Sequence, residues 1–100
     1  MKAYVIVYRE SPVRDPAAME AYSRTNRENA ATFMNEHGIK PLSIYGRVEA
    51  LEGPAPDGVN LLEFPSMAAA KAWYESEAYQ SVVALRQGAA DWRITIVEGL

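Results

Sequence analysis

The sequence predicts an α+β domain whose elements follow the order β-α-β-β-α-β, and three observations lead to this prediction. Four short segments rich in β-branched and aromatic residues are spaced along the 100 residues, as expected for strands. Two longer segments between them repeat apolar residues at helical spacing. A dense turn signal at Gly53–Gly58 separates the two middle strands. This order is the ferredoxin-like arrangement, a four-stranded antiparallel sheet with two helices on one face.

The first strand and the first helix have clear sequence signals. Tyr4–Tyr8 is apolar at every position, which predicts a strand that is covered on both faces. Asp15 and Pro16 suit the N-cap and the first position of a helix. Apolar residues then recur at intervals of 3 and 4 as far as His37, and Gly38 fits the left-handed residue that ends a helix.

The second half of the chain contains three strands and one helical region. Leu42–Leu51 is predicted as the second strand and Val59–Phe64 as the third, paired with it in a hairpin. Ser66 suits the N-cap of the second helical region, which Ser76 is expected to interrupt and restart. Trp92–Glu98 is predicted as the fourth strand.

Length and composition indicate a single domain that covers residues 1–100. The net charge is −3 and the ten basic residues are scattered, so no basic face is expected that would bind nucleic acid. The chain has no cysteine, which fits a reducing compartment, and we expect a cytoplasmic protein. The apolar run at the N-terminus stops at Arg9 and is too short for a signal peptide or a membrane span.

The first strand is apolar on both of its sides, and this predicts a homodimer. Tyr4, Ile6 and Tyr8 project from one side, and Val5 and Val7 project from the other. The two helices cover only one face of the sheet. A second copy of the chain is the simplest cover for the other face, in an isologous dimer.

Several segments resemble a known bacterial family. They are "LLEFPSMAAAKAWYESEAYQ", "ALR", the terminal "IVEG", and "LEG" before the turn, and they resemble the family catalogued as domain of unknown function 1330. The resemblance extends over the whole chain and is most specific in Leu61–Arg86. It implies membership of the dimeric α+β barrel superfamily, in which two sheets pack into a barrel. That superfamily includes cofactor-independent monooxygenases, isomerases and haem-handling proteins, whereas this family has no settled reaction.

The sequence departs from the family at one place. Members often carry a Gly-Gly-Arg-Tyr run and a further arginine before the glycine of the second strand. In the corresponding stretch, Gly38–Gly46, those arginines are replaced by Lys40 and Ile44. An anion site that relatives build from these arginines would therefore lack them here.

Two residues of the first helix are candidates for catalysis, and each has two interpretations. His37 is the only histidine and would serve as a general base in a pocket between helix and sheet. Alternatively, it interacts with the free carbonyls at the helix C-terminus. Asn26 lies between Tyr22 and Ala30 on the apolar stripe. Its amide either meets a bound substrate or lies at the edge of the stripe and faces water.

The stretch Phe64–Gln80 carries four aromatic residues in an alanine-rich helix. Because a helix that packs on a sheet needs bulky side chains, we interpret them mainly as core and dimer packing. Arg9, Arg14 and Lys40 would either attract a carboxylate together or be scattered surface charges. The residues expected to contact a ligand, if one binds, are Tyr8, Tyr22, Asn26, His37 and Trp73.

The sequence leaves three functional hypotheses open. It lacks a phosphate-binding glycine loop, a serine-hydrolase elbow and metal-binding motifs, so we expect neither a cofactor nor a metal. In the first hypothesis, a homodimer binds a small apolar or aromatic molecule between sheet and helices. In the second, a cofactor-independent enzyme of the monooxygenase or isomerase kind uses His37 or Asn26 to move a proton or polarise a carbonyl. The third is a purely structural dimer without a pocket.

Overall fold

The predicted order of elements is confirmed, with the second helical region divided into two helices. A computed structural model describes all residues, 1–100. The elements are β1 (Ala3–Arg9), α1 (Pro16–His37), β2 (Lys40–Ile44), β3 (Gly58–Phe64), α2 (Met67–Glu75), α3 (Glu77–Arg86) and β4 (Trp92–Glu98). No helix combines the length and the apolar character that crossing a bilayer requires.

The four strands form one antiparallel sheet in the order β2-β3-β1-β4, with the helices on one face. Side chains alternate between the two faces of each strand. On β1, Val5 and Val7 are buried under the helices, whereas Ile6 is only half-buried on the other face. The buried core joins the helix-facing side of the sheet to the helices, and its members are Val5, Val7, Tyr22, Phe33, Leu62, Phe64, Ala70, Trp73, Tyr79, Val82 and Val83.

Helix α1 begins and ends where its capping residues predict. The Asp15 carboxylate accepts a hydrogen bond of 3.1 Å from the Ala18 amide, and Pro16 occupies the first turn. At the other end Gly38 has a φ of 69°, and its amide donates to the Met34 carbonyl at 3.0 Å. Both bonds satisfy backbone groups that the helix itself leaves free.

Ser76 separates α2 from α3 and is the cap of both. Its hydroxyl donates to the Trp73 carbonyl at 2.7 Å and accepts from the Tyr79 amide at 3.2 Å. Because the chain changes direction at Ser76, the rings of Trp73 and Tyr79 pack together, with their centroids 3.9 Å apart. Phe64, Trp73 and Tyr79 are among the most buried side chains, so the interpretation of this aromatic stretch as core packing is confirmed.

The predicted second strand, Leu42–Leu51, is wrong in its second half because β2 ends at Ile44. Tyr45 turns the chain with a φ of 50°, and its amide donates to the Asn60 side-chain oxygen at 2.9 Å. The Tyr45 ring then lies over Gly58, where an added Cβ would be only 2.8 Å from it. Since β3 begins at Gly58, which lies opposite Gly46 in the register of β2 with β3, the residues beyond Gly46 have no neighbouring strand to pair with.

Gly38 should be more sensitive to substitution than Gly53, although both have positive φ. An alanine Cβ at Gly38 would lie 2.7 Å from Cγ of Pro65, whereas nothing lies within 4 Å of one at Gly53. The left-handed conformation costs a non-glycine residue about 1–2 kcal/mol, and overpacking adds about 1–3 kcal/mol. We expect Gly38→Ala to lower the free energy of unfolding in urea by at least about 2 kcal/mol, against about 1 kcal/mol for Gly53→Ala. Equal losses would contradict the close packing of Gly38 on Pro65.

Candidate functional site

A cleft lies between α1 and the β2 side of the sheet. Helix α1 packs chiefly against α3 and, less extensively, against α2. Every residue of β2 is exposed to solvent, so the helix layer does not close over this edge of the sheet. The space between them holds two adjoining cavities that share Asn26 and Ile44 in their walls.

The first cavity is apolar and has a volume of about 110 Å³. Ala30 and Phe33 of α1 form one wall, Leu62 of β3 and Ile44 of β2 form another, and Trp73 closes the inner end. Phe33, Leu62 and Trp73 also belong to the core. A ligand in this cavity would therefore rest on the same rigid packing that holds the fold together.

The second cavity has a volume of about 220 Å³, and we call it the polar cavity because most of its lining residues are polar. Tyr22, Ser23 and Asn26 of α1 face Tyr45 and Asn60 across it. Together the two cavities approach the lower end of the roughly 300–1,000 Å³ that small-molecule sites occupy. The cleft thus has an apolar half and a polar half, joined at Asn26.

The tyrosines in and beside the polar cavity are neutral at neutral pH, and burial raises their pKa values further above the ordinary value. They are Tyr22, Tyr45 and Tyr79, and in each case burial is the largest cause of the raised pKa. The Asn60 side chain and the guanidinium of Arg9 lower the pKa of Tyr45 but do not offset its burial. No atom has hydrogen-bonding geometry with the buried Tyr45 hydroxyl, so this neutral phenol has a proton to donate.

Two arginines without a carboxylate partner lie against tyrosines that line the polar cavity, and neither arginine lines that cavity itself. Arg86 is only 4% exposed, and its Cζ lies 4.9 Å from the Trp92 ring centroid and 5.9 Å from that of Tyr22. The Cζ of Arg9 lies 5.3 Å from the Tyr45 ring centroid. None of the six ion pairs in the structure includes either arginine. Arg9 donates a hydrogen bond of 3.1 Å to the Asp57 carbonyl. The aromatic faces beside both arginines attract cations but do not cancel their charge.

Three of the residues expected to contact a ligand line the cleft, and two lie elsewhere. Tyr22, Asn26 and Trp73 line it. His37 lies in the last turn of α1, where its ring is 6.4 Å from that of Phe33 and its Nε2 is 3.8 Å from a Glu36 carboxylate oxygen. It lines neither cavity.

Tyr8 lies on the opposite face of the sheet, away from the helices. It is paired with Arg93 of β4, whose Cζ lies 4.0 Å from the Tyr8 ring centroid. The structure therefore brings neither Tyr8 nor His37 to the cleft.

The three cations proposed to attract a carboxylate together do not meet. Arg14 pairs with Asp91 at 2.9 Å. In the register of β3, Arg9 lies beside Gly58 and Lys40 beside Glu63, at opposite ends of that strand. No group of three or more histidine, cysteine or acidic side chains is arranged to hold a metal ion.

Sequence reasoning missed two polar residues of this region, and each had a signal. Asn60 shares the inward side of β3 with Leu62 and Phe64, so alternation places its amide under the helices. Arg86 follows Val82 and Val83 at helical spacing, on the buried side of α3. In both cases a polar residue occupies a position that the strand or helix pattern predicts to be buried, and this pattern is visible in the sequence. Tyr45 gave no such signal because its position depends on a tertiary turn.

Comparison with known proteins identifies the family. The profile of the family described as Domain of unknown function (DUF1330) matches residues 2–100. The chain belongs to this family. No curated protein matches the chain.

Solved structures with a similar fold agree with the architecture. A protein of unknown function from Rhodopseudomonas palustris has a TM-score of 0.70 and 23% identity, over 99% of this chain and 82% of that one. A dimeric ferredoxin-like protein of unknown function from Jannaschia sp. CCS1 has a TM-score of 0.73 and 13% identity, over 99% and 100%. A candidate antibiotic biosynthesis monooxygenase from Nitrosomonas europaea has a TM-score of 0.65 and 19% identity, over 99% and 90%. At these identities the similarity establishes the ferredoxin-like α+β fold.

Proposed function

We propose that this DUF1330 protein binds a small apolar or aromatic molecule in the cleft between α1 and the β2 side of the sheet. The observation that carries the proposal is the adjoining pair of cavities between sheet and helix, which share Asn26 and Ile44 in their walls. An apolar wall with a few convergent polar groups is the usual composition of a small-molecule site. The exposed β2 strand leaves the mouth of the cleft open to entry.

The protein acts as a homodimer in this proposal. The sheet face away from the helices presents apolar side chains, and two of the similar structures are described as dimeric. Ion pairs border this face, Lys2 with Glu63 and Arg93 with Glu10. An apolar centre with a charged rim is typical of a protein–protein interface. The apolar or aromatic residues on this face are Tyr4, Ile6, Tyr8, Val59, Leu61 and Val97.

Asn26 supports a second candidate, a cofactor-independent enzyme of the monooxygenase or isomerase kind. Its side chain lies where the apolar and polar cavities meet, so it would lie beside the polar group of a bound substrate and polarise it. His37 would have no contact with a substrate in this cleft. The absence of cysteine fits the reducing cytoplasm as the place where either function is carried out.

A pair of tryptophan substitutions on α1 tests the binding site. Ala30 and its neighbour Ala31 are both exposed, but only Ala30 lines the apolar cavity and Ala31 lines neither cavity. An indole side chain at position 30 would fill the apolar cavity in which the ligand is proposed to bind. We expect Ala30→Trp to weaken binding of the neutral dye N-phenyl-1-naphthylamine at least about tenfold, the equivalent of 1.4 kcal/mol.

The matched control is Ala31→Trp, which adds the same side chain one position along the helix. Dye affinity should be unchanged in this variant, and dye fluorescence gives the dissociation constant of all three proteins. Equal affinity of the wild type and both variants would place dye binding outside the cleft and contradict the proposed site.

A further inference from the structure

We propose that the ligand of the cleft carries a carboxylate or a similar anionic oxygen group, which binds in the polar cavity between Tyr22, Tyr45 and Asn60. The positive charges of Arg9 and Arg86 stabilise it there. This proposal rests on the proposed function, because it concerns the chemistry of the molecule that the cleft would bind.

Buried side-chain atoms without partners supply the first argument. There are four such atoms: Arg9 Nε, Tyr45 Oη, Trp73 Nε1 and Arg86 Nε. The three nitrogens only donate hydrogen bonds, and a neutral tyrosine hydroxyl also has a proton to donate. Buried polar groups are normally paired. All four atoms are therefore donors without an acceptor, and one of them, the Tyr45 hydroxyl, belongs to a residue that lines the polar cavity. A carboxylate there would contribute two acceptor oxygens.

The charge balance supplies the second argument. Arg86 is almost fully buried and has no carboxylate within ion-pair distance. A buried charge is costly unless an opposite charge offsets it. The tyrosines nearby are neutral at neutral pH, and burial raises their pKa values further, so they do not provide that opposite charge. An anionic ligand group would provide it.

The positive field of Arg86 extends to the cavity. Arg86 lowers the pKa of Tyr22 and of Tyr45, although burial raises each of them more. Both tyrosines line the polar cavity, so an anion placed between them would be stabilised by the same field. Coulomb interactions in a buried site act over several ångströms without direct contact.

The donors at this end of the cleft suit a carboxylate. Asn60 accepts the Tyr45 amide with its side-chain oxygen at 2.9 Å, which leaves the N–H groups of its own amide to donate. Tyr45 and Asn60 thus offer a hydroxyl and an amide donor to one small space, which Tyr22 also lines. The adjoining apolar cavity, with Phe33, would hold the hydrocarbon part of the same molecule. An amphiphilic acid fits both halves.

A matched pair of probes tests this proposal by isothermal titration at neutral pH. The probes are 2-naphthoate and the neutral 2-naphthamide, which share the ring system and differ in charge. We expect the wild type to bind naphthoate at least tenfold more tightly than naphthamide. In Arg86→Gln the affinity for naphthoate should fall at least tenfold while that for naphthamide changes less than twofold.

Three further variants keep the test decisive. Arg24→Gln removes an exposed charge from α1 and should leave the preference for naphthoate within twofold of the wild type. Arg86→Lys keeps the positive charge and should retain part of the preference. If circular dichroism shows that Arg86→Gln does not fold, Arg9→Gln is used in its place, with a loss of preference expected.

The outcomes separate this proposal from the proposed function. Equal binding of the two probes by the wild type, with both weakened by Ala30→Trp, would overturn the anionic ligand and leave the cleft as the binding site. A preference that persists unchanged in Arg86→Gln and Arg9→Gln would also overturn it. Binding of both probes that Ala30→Trp does not affect would instead contradict the proposed function.

Discussion

Trp73→Ala is expected to lower the free energy of unfolding by about 3–5 kcal/mol, the range for truncating a buried aromatic side chain. Trp73 is 2% exposed and its ring packs against Phe33, Phe64 and Tyr79, with centroids 6.4, 5.2 and 3.9 Å away. Its Nε1 makes no hydrogen bond. The loss of stability therefore comes from the packing contacts that Trp73 makes with all three helices and the sheet.

Urea denaturation at a fixed protein concentration measures this effect, because the stability of a dimer depends on concentration. The control is Leu51→Ala, since Leu51 is 93% exposed and surface substitutions usually change stability by less than about 0.5 kcal/mol. A loss below about 1 kcal/mol for Trp73→Ala would show that Trp73 is not the centre of the core.

Ile6→Asp is expected to convert the proposed homodimer into monomers. Ile6 lies at the centre of the outer sheet face, between Leu61 of β3 and Thr95 of β4. In a two-fold dimer the substitution places two carboxylates in the apolar interface. An uncompensated buried charge costs about 3–5 kcal/mol, so the dimer dissociation constant should rise by more than about a thousandfold, or 4.1 kcal/mol.

Light scattering coupled to size-exclusion chromatography at micromolar concentration measures the mass of each variant. Val48→Asp adds the same charge in an exposed segment outside the sheet and should remain dimeric. A wild-type monomer, or a dimer that persists in Ile6→Asp, would contradict an interface formed by this face of the sheet.

Most of the fold was predictable because its signals are local. The Asp15 cap, the left-handed Gly38 and the Ser76 restart each depend on a few neighbouring residues, and all three are found where the sequence places them. The end of β2 was not predictable in this way. It depends on Tyr45 meeting Asn60 and Gly58, which are distant in sequence and come together only in the folded sheet.

The site was only partly predictable because residues on one face of a long helix need not share a site. Asn26 and His37 lie on the same stripe of α1. At a rise of 1.5 Å per residue they are about 16 Å apart along the helix axis. The cleft spans the middle of α1, so it includes Asn26 and ends before His37. Arg86 was overlooked because an arginine on a helix is usually solvated.

Binding of a small molecule in the cleft is tested most directly by native mass spectrometry of the wild-type protein, purified under mild conditions from its own cells. We predict a dimer that carries the additional mass of one or two small molecules. Denaturation should release an apolar or aromatic compound. A dimer that carries no additional mass, even after incubation with an extract of the same cells, would contradict the proposed binding function.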